Sequence, residues 1–496
     1  MAIPKEILAV ERPKNTVVYV YGKNRDRYGV KERIGCRRVG GRNVPVNGAT
    51  VGHIVGGRFV PIGASPAPLS SREADVVEWA GAELLMRICP DVLEDLRKRF
   101  CEADAARVFC VAALRVLCPG VADGGLEWAY RTSSLRGMLP GLALSGPSVS
   151  RLLTRLGAAA GEAAAFMRDR VRRLGGESRV LLDGTVKHDN SRVNSLSDFS
   201  RKGRVSGRAE VSLIYAFDVA KGEPICFWAY PGNTVDAAAY PDFLEKNGIK
   251  SGLIVADKGF PRSSAESHFE SNPALHYLSP LRRNSSLISG NGMLRFEGTL
   301  AKYPTVQFKK KGLPDGRCLY SFRDANKAAK EERDFLKRQA KGYADCSPSK
   351  YEERRDSFGT VVFESDLDWD PAEIYFAYSQ RWLIEVVMRY YKVSNGLDDT
   401  RVHSDLSVMG SEFVNFLSTL MTFRLIREFG RKGLLEKATY GEIMKDLSRS
   451  KRVTIEGATY ETKVTAEAAK RLETLGLVEA EEKPKRKRGR PKKSAI

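Results

Sequence analysis

A chain of 496 residues with a hydrophobic fraction of 42% is long enough for three or four domains and a sizeable core. Lysine and arginine number 81 against 61 acidic residues, and the resulting formal charge of +20 with a pI near 9.5 favours a polyanionic partner. Eight cysteines without a C-x-x-C pair argue against zinc, and the lack of a signal-type apolar core or an 18-residue apolar run points to a reduced, cytoplasmic protein outside the membrane.

The first expected unit, residues 1–63, is small and β-rich. Strand-like segments such as Val17 to Tyr21 alternate with turn signals at Gly22-Lys23, Gly40-Gly41, Asn47-Gly48 and Gly56-Gly57. A Pro-Ser-rich linker from Ala64 to Ser71 precedes a helical region over 72–175. There, Leu144 to Leu156 reads as a turn and a capped helix that offers Ser148, Ser150, Arg151 and Arg155 to DNA, or as an ordinary amphipathic bundle helix.

Residues 176–260 read as the first part of an α/β core. The run Arg179-Val180-Leu181-Leu182-Asp183-Gly184-Thr185 is a short aliphatic strand that delivers Asp183 at its end. Glu210 to Asp218 and Pro224 to Tyr230 form a hairpin pair around Lys221-Gly222, Asp236 to Asn247 is helical, and Leu253 to Asp257 is a second strand ending in aspartate. An insertion follows over 261–369, with strand-like pieces at Leu275 to Leu278, Val306 to Lys310, Cys318 to Phe322 and Gly359 to Glu364. It also holds a charged helix from about Asp324 to Lys341 and a basic cluster, Lys309 to Lys311, that either contacts phosphates or is solvated surface.

The core resumes over 370–430 with a well-marked helix. Asp370 is placed to cap it, Pro371 suits the first turn, Glu373 completes a capping-box pattern, and Asn395 and Gly396 end it. At about 100° per residue, Tyr378, Arg381, Glu385 and Lys392 fall within roughly 60° of one another, and Arg389 joins them. Phe376, Leu383 and Val387 form the face expected to be buried. One carboxylate is thereby presented amid tyrosine, arginine and lysine. A helical region over 431–482 and a basic tail over 483–496 complete the chain; Arg488-Gly489-Arg490-Pro491 in the tail resembles an AT-hook, with a generic phosphate-binding tail as the alternative.

The spacing Tyr-x2-Arg-x3-Glu-x6-Lys, met at Tyr378, Arg381, Glu385 and Lys392, resembles the signature of one branch of prokaryotic insertion-sequence DDE transposases. Asp183-Gly184-Thr185 and Asp257-Lys258-Gly259-Phe260 resemble that family's first and second acidic motifs. The resemblance extends from about residue 180 to 425. It implies an RNase H-like mixed sheet flanked by helices and interrupted by the β-rich insertion, with the N-terminal β unit and a helical DNA-binding region outside it. It further implies that Asp183 bridges two Mg²⁺ ions, that Asp257 and Glu385 each bind one, and that Mn²⁺ can substitute. Tyr378, Arg381 and Lys392 would clamp phosphates at the transposon ends. The expected partner is double-stranded DNA, both element ends and target, bound by a homodimer that pairs two ends. Relatives that form DNA hairpins place an aromatic wedge in the insertion; none of the five tryptophans lies between residues 258 and 368, so this route is not expected. The rival functions are a domesticated, non-catalytic DNA-binding protein and an RNase H-like nuclease that cuts without joining.

Overall fold

The computed structural model describes residues 3–21, 27–55, 57–62, 74–189, 191, 193–394, 396–455 and 458–479. The chain divides into two compact units, one of residues 1–75 with 454–459 and one of residues 76–453 with 460–496.

The smaller unit carries the expected β-structure. Strands Thr16–Tyr21, Arg27–Val39, Arg42–Val55 and Arg58–Pro61 form an antiparallel sheet in sequence order. Val18, Val30 and Ile54 make its core. Gly40 and Gly41 both have positive φ, 58° and 77°, as the tight turn there requires. The turn expected at Asn47-Gly48 is absent: the strand runs through it, accommodated by register shifts opposite Lys31, Arg33 and Gly35.

In the larger unit the helical region packs on a long helix from the far end of the chain. Helices α1 (Glu102–Leu117) and α2 (Gly146–Ala158) both lie against the helix Asp405–Arg431. Val149, Leu152, Leu153 and Leu156 are the buried face of α2, at the spacing of an amphipathic helix. The backbones meet at two glycines. A Cβ on Gly157 would lie 1.8 Å from the Leu406 carbonyl oxygen, and one on Gly410 would lie 1.9 Å from that of Leu153. Only glycine allows this approach.

The main sheet begins with β1 (Arg179–Asp189), β2 (Glu210–Asp218) and β3 (Glu223–Pro231), an antiparallel meander with Asp183 opposite Tyr215. Helix α3 (Asp236–Asn247) crosses to β4 (Gly252–Ala256), which pairs parallel to β1 with Leu182 opposite Ala256. Strand β5 (Leu275–Pro280) then pairs parallel to β4. The order β3-β2-β1-β4-β5 is that of an RNase H-like sheet, with β1 and β4 at its centre. Val180, Leu181, Leu182 and the whole of β4 are buried, as two covered faces require.

β5 falls within the segment expected as insertion, so the core extends beyond residue 260. Its neighbours supply the reason: His276 and Tyr277 lie in register with Leu253 and Ile254, which extends the aliphatic core strand by one. The inserted strands, β6 (Gly298–Leu300), β7 (Tyr303–Gly312), β8 (Cys318–Asp324) and β9 (Thr360–Ser365), continue the same sheet, with β9 antiparallel to β5. Helix α4 (Ala325–Ala340) is capped by the Asp324 side chain, which accepts from the amides of Asn326 and Lys327. Within the expected C-terminal helical region, strands at Lys451–Ile455 and Ala458–Glu461 separate two helices.

The helix expected from 370 to 395 is broken into α5 (Pro371–Ser379), α6 (Trp382–Arg389) and a π-helical turn at Tyr390–Ser394, ahead of α7 (Asp405–Arg431). Asp370 caps α5 through the Ala372 amide. The amides of Leu383 and Ile384 bond three residues back, to Gln380 and Arg381, so the junction is overwound. Of the face expected to be buried, Phe376 is exposed, Leu383 is half-buried and Val387 is buried. Gly396 has φ 62°; Asn395 lies outside the described residues.

Candidate active site

The two central strands and α6 deliver their acids to one edge of the sheet. Asp183 follows the buried Val180, Leu181 and Leu182 but lies within β1 rather than at its end, because pairing with β2 carries the strand on to Asp189. Asp257 follows β4 in a turn closed by the Phe260 amide on the Asp257 carbonyl, and the Phe260 ring anchors that turn edge-on against Tyr240 of α3, with centroids 5.4 Å apart. Glu385 sits one turn into α6.

Arg381 draws these three together. Its Nη2 lies 4.0 Å from Asp183 Oδ1 and 3.5 Å from Asp257 Oδ2, and its Nη1 lies 3.7 Å from Glu385 Oε1. Carboxylates from positions far apart in the chain therefore share one guanidinium. Their exposures differ: the Asp183 side chain is 19% exposed and that of Glu385 62%. Burial pushes the Asp183 carboxyl up to about 6; Arg381 opposes the shift, while Asp257 and Asp236 add to it.

The rest of the predicted stripe is split. The Tyr378 ring packs on Phe363 with centroids 4.4 Å apart, and burial raises its hydroxyl against the pull of Arg381. Lys392 is turned away from the acids. The π turn adds a residue to the helical period, and the lysine Nζ donates to the Val186 carbonyl at 2.6 Å and pairs with Asp398 at 3.2 Å. Arg389 instead lines a second groove with Val116, Leu117, Tyr390, Tyr440 and Met444.

On α2, Ser150, Arg151 and Arg155 are exposed; Arg151 donates to Ser148 Oγ at 3.2 Å and Arg155 pairs with Asp104. In the insertion, Lys310 pairs with Asp368 and donates to the Trp369 carbonyl, and Lys309 lies 3.7 Å from Glu297, so two lysines of the basic cluster serve contacts within the fold. Arg488 and Arg490 lie outside the described residues.

Sequence context does not single out Asp236, since an aspartate at a helix start is ordinary. Its carboxylate lies over Gly184 and Gly259, the residues that follow or nearly follow Asp183 and Asp257. The signal is in that pair of glycines, whose shared neighbour only the fold reveals. Asp236 and Asp257 open onto a groove of about 1110 Å³ that runs to the insertion and is also lined by Lys258, Arg282, Arg283 and Lys327.

The donor set is made of carboxylate oxygens, the chemistry that suits Mg²⁺ or Mn²⁺ rather than zinc. No group of three His, Cys, Asp or Glu among the described residues is close enough to hold an ion as it stands. Among the described residues, no helix is long and apolar enough to cross a membrane.

Comparison with known proteins gives one family. Residues 175–410 match the transposase DDE domain. Among solved structures, the cryo-EM structure of the piggyBac transposase synaptic complex with hairpin DNA matches 74% of this chain and 79% of that chain, at 10% identity and a TM-score of 0.40, a similarity too low to add to the fold described above. No curated protein matches. The segment that matches the transposase DDE domain contains Asp183, Asp257, Arg381 and Glu385, and this match supports a DNA transposase of the DDE type.

Proposed function

We propose that the protein is an insertion-sequence transposase that cuts DNA at the ends of its element and joins the freed 3′-hydroxyl to target DNA. The observation that carries this reading is the convergence of Asp183, Asp257 and Glu385 on the Arg381 guanidinium, at the edge of an RNase H-like sheet and inside a segment that matches the transposase DDE domain.

Asp183, Asp257 and Glu385 are the residues that would hold two divalent cations, Mg²⁺ or Mn²⁺. Such ions supply an activated water or hydroxyl nucleophile and charge neutralisation at the leaving oxygen. Arg381 balances the acids before DNA arrives and offers its guanidinium to the scissile phosphate, for which its fork is suited. Tyr378 borders the same groove as Asp257 and contacts the strand beside the reacting phosphate. Lys392 anchors the end of β1 through Val186, and its remaining donors serve a flanking phosphate. The exposed Ser150, Arg151 and Arg155 grip the end sequence, and Arg488 and Arg490 lie along A·T-rich minor grooves. Two copies pair two ends.

A joining assay tests this reading. The protein is incubated with a plasmid carrying the DNA that flanks its own gene, with Mg²⁺, Mn²⁺ or a chelator. Covalent joining of flank ends to a second plasmid, dependent on the divalent ion, is the expected result. Cutting with no joined product would support the nuclease reading, and binding with neither would support the non-catalytic one.

A further inference from the structure

We propose that the two-stranded ribbon of residues 34–39 and 42–46, in the smaller unit, is a DNA-binding arm whose tip enters the major groove of a duplex. The inference goes beyond the transposase reading and does not depend on the acidic cluster.

The ribbon outruns its own sheet. Strands Arg27–Val39 and Arg42–Val55 have 13 and 14 residues, whereas their outer neighbours Thr16–Tyr21 and Arg58–Pro61 have 6 and 4. Pairing with Thr16–Tyr21 stops at Glu32, and pairing with Arg58–Pro61 covers residues 52–55. Past the small core of Val18, Val30 and Ile54, two strands project without a third, and residues 34–39 and 42–45 are exposed on both faces. At about 3.4 Å per residue the projection reaches roughly 20 Å. A lone two-stranded ribbon is marginal in water, so the stability of the sheet does not explain this length.

Its charge has one sign. No acidic residue stands between Glu32 and Glu73, while Arg37, Arg38 and Arg42 crowd the tip. Elsewhere arginines are tied down, as Arg99 is to Asp169 and Arg424 to Asp91 and Glu223. The side chains of Arg37, Arg38 and Arg42 have no ion pair or hydrogen bond among the described residues. The register sets Arg37 opposite Val44 and Val39 opposite Arg42 on one face, with Arg38 opposite Asn43 on the other. Cations therefore leave both faces of a narrow tip, as a groove walled by phosphates on two sides requires.

DNA fits this shape better than the alternatives. The major groove, about 12 Å wide, admits a two-stranded ribbon, and arginine and asparagine carry the donors that read base edges there. A solvated surface would account for the arginines but not for the exposed Ile34, Val39 and Val44 among them. A second copy adding its ribbon edge to edge would meet like charge, and Pro45 offers no amide to such a pairing.

Anisotropy of a labelled duplex with the full-length protein, in chelator and over a range of salt, tests the arm. The triple variant Arg37→Gln, Arg38→Gln, Arg42→Gln should bind about 10-fold or more weakly, with a salt slope shallower by up to about 2.7, at about 0.9 per lost phosphate contact. Replacing the exposed Lys330, Arg333 and Lys337 of α4 by glutamine removes the same charge elsewhere and should change affinity by less than about threefold. Equal losses in the two variants, or none in the first, would overturn the proposal. The exposed Cys36 of the ribbon gives a readout on the unmodified protein. Saturating duplex should slow its alkylation by a maleimide several-fold, and a duplex whose major groove is filled by glucosylated hydroxymethylcytosine should protect it far less. Alkylation at the DNA-free rate, or equal protection by both duplexes, would contradict the placement. A triple variant that keeps its DNA affinity but loses self-association in sedimentation would assign the ribbon to a second copy of the chain instead.

Discussion

Asp183 carries the largest conflict at the site: as the proposed cation ligand it would have to ionise, yet its surroundings oppose ionisation. Its carboxyl is raised from 3.8 to about 6 by burial. A raised carboxyl pKa means that the folded state keeps the proton to higher pH than the unfolded state does. The cost to stability is therefore absent below about pH 4, grows between 4 and 6, and is fully present above that. Asp183→Asn should accordingly stabilise the metal-free protein at pH 7.5 by roughly 2 kcal/mol and by almost nothing near pH 4. Thermal melts in chelator at the two pH values check this; an equal gain at both would show that Asp183 is not held neutral by its environment. By the same linkage, Mn²⁺ affinity should fall as pH drops below about 6.

A second residue-scale prediction concerns Lys187, on β1 beyond Asp183. Its Nζ lies 2.6 Å from Glu412 Oε1, both side chains are almost wholly buried, and the Tyr391 hydroxyl donates to the other Glu412 oxygen. This pair ties β1 to α7 and to the π turn. Glu412→Gln leaves a buried ammonium without its counter-charge and should cost about 3 kcal/mol in chemical denaturation. A destabilisation under about 1 kcal/mol would mean that Lys187 finds water or another partner.

At the scale of elements, the approach of α2 to α7 makes the clearest prediction. Gly410→Ala places a methyl where the Leu153 carbonyl stands, and Gly157→Ala does the same at Leu406. Each should lower the melting temperature by several degrees, although alanine favours helix more than glycine by about 1 kcal/mol. A higher melting temperature in either variant would show that the two backbones do not meet. This junction also marks what is legible in the sequence. Aliphatic runs ending in Asp183 and Asp257 identify the central strands, and period-3.6 patterning identifies α2, because both signals are local. β5 reads as part of the insertion because a strand's partner is a long-range choice, here made by register with Leu253 and Ile254. The break between α5 and α6 and the π turn after α6 escape detection because residues 371 to 394 read as one continuous helix. With the helix broken, Arg381 reaches the two aspartates and Glu385, while Lys392 bonds to Val186 and Asp398 instead.

At the scale of the whole molecule, the charge of +20 would make the proposed binding to DNA strongly salt-dependent. Deleting residues 483–496, which hold eight lysines and arginines, should flatten the dependence of affinity on salt by about 0.9 in slope for each DNA phosphate that the tail neutralises. Changing Arg488 and Arg490 to lysine keeps the charge but should reduce preference for A·T over G·C duplexes; an unchanged preference would leave a nonspecific tail. The proposed catalytic centre is the cluster of residues 183, 257, 381 and 385. Cleavage of flank DNA by Asp183→Asn, Asp257→Asn and Glu385→Gln, with DNA affinity measured in parallel, tests that centre most directly. The account predicts at least a roughly 100-fold drop in cleavage in each with affinity changed by less than about threefold; cleavage at the unmodified rate by any of the three would take that carboxylate out of the active site.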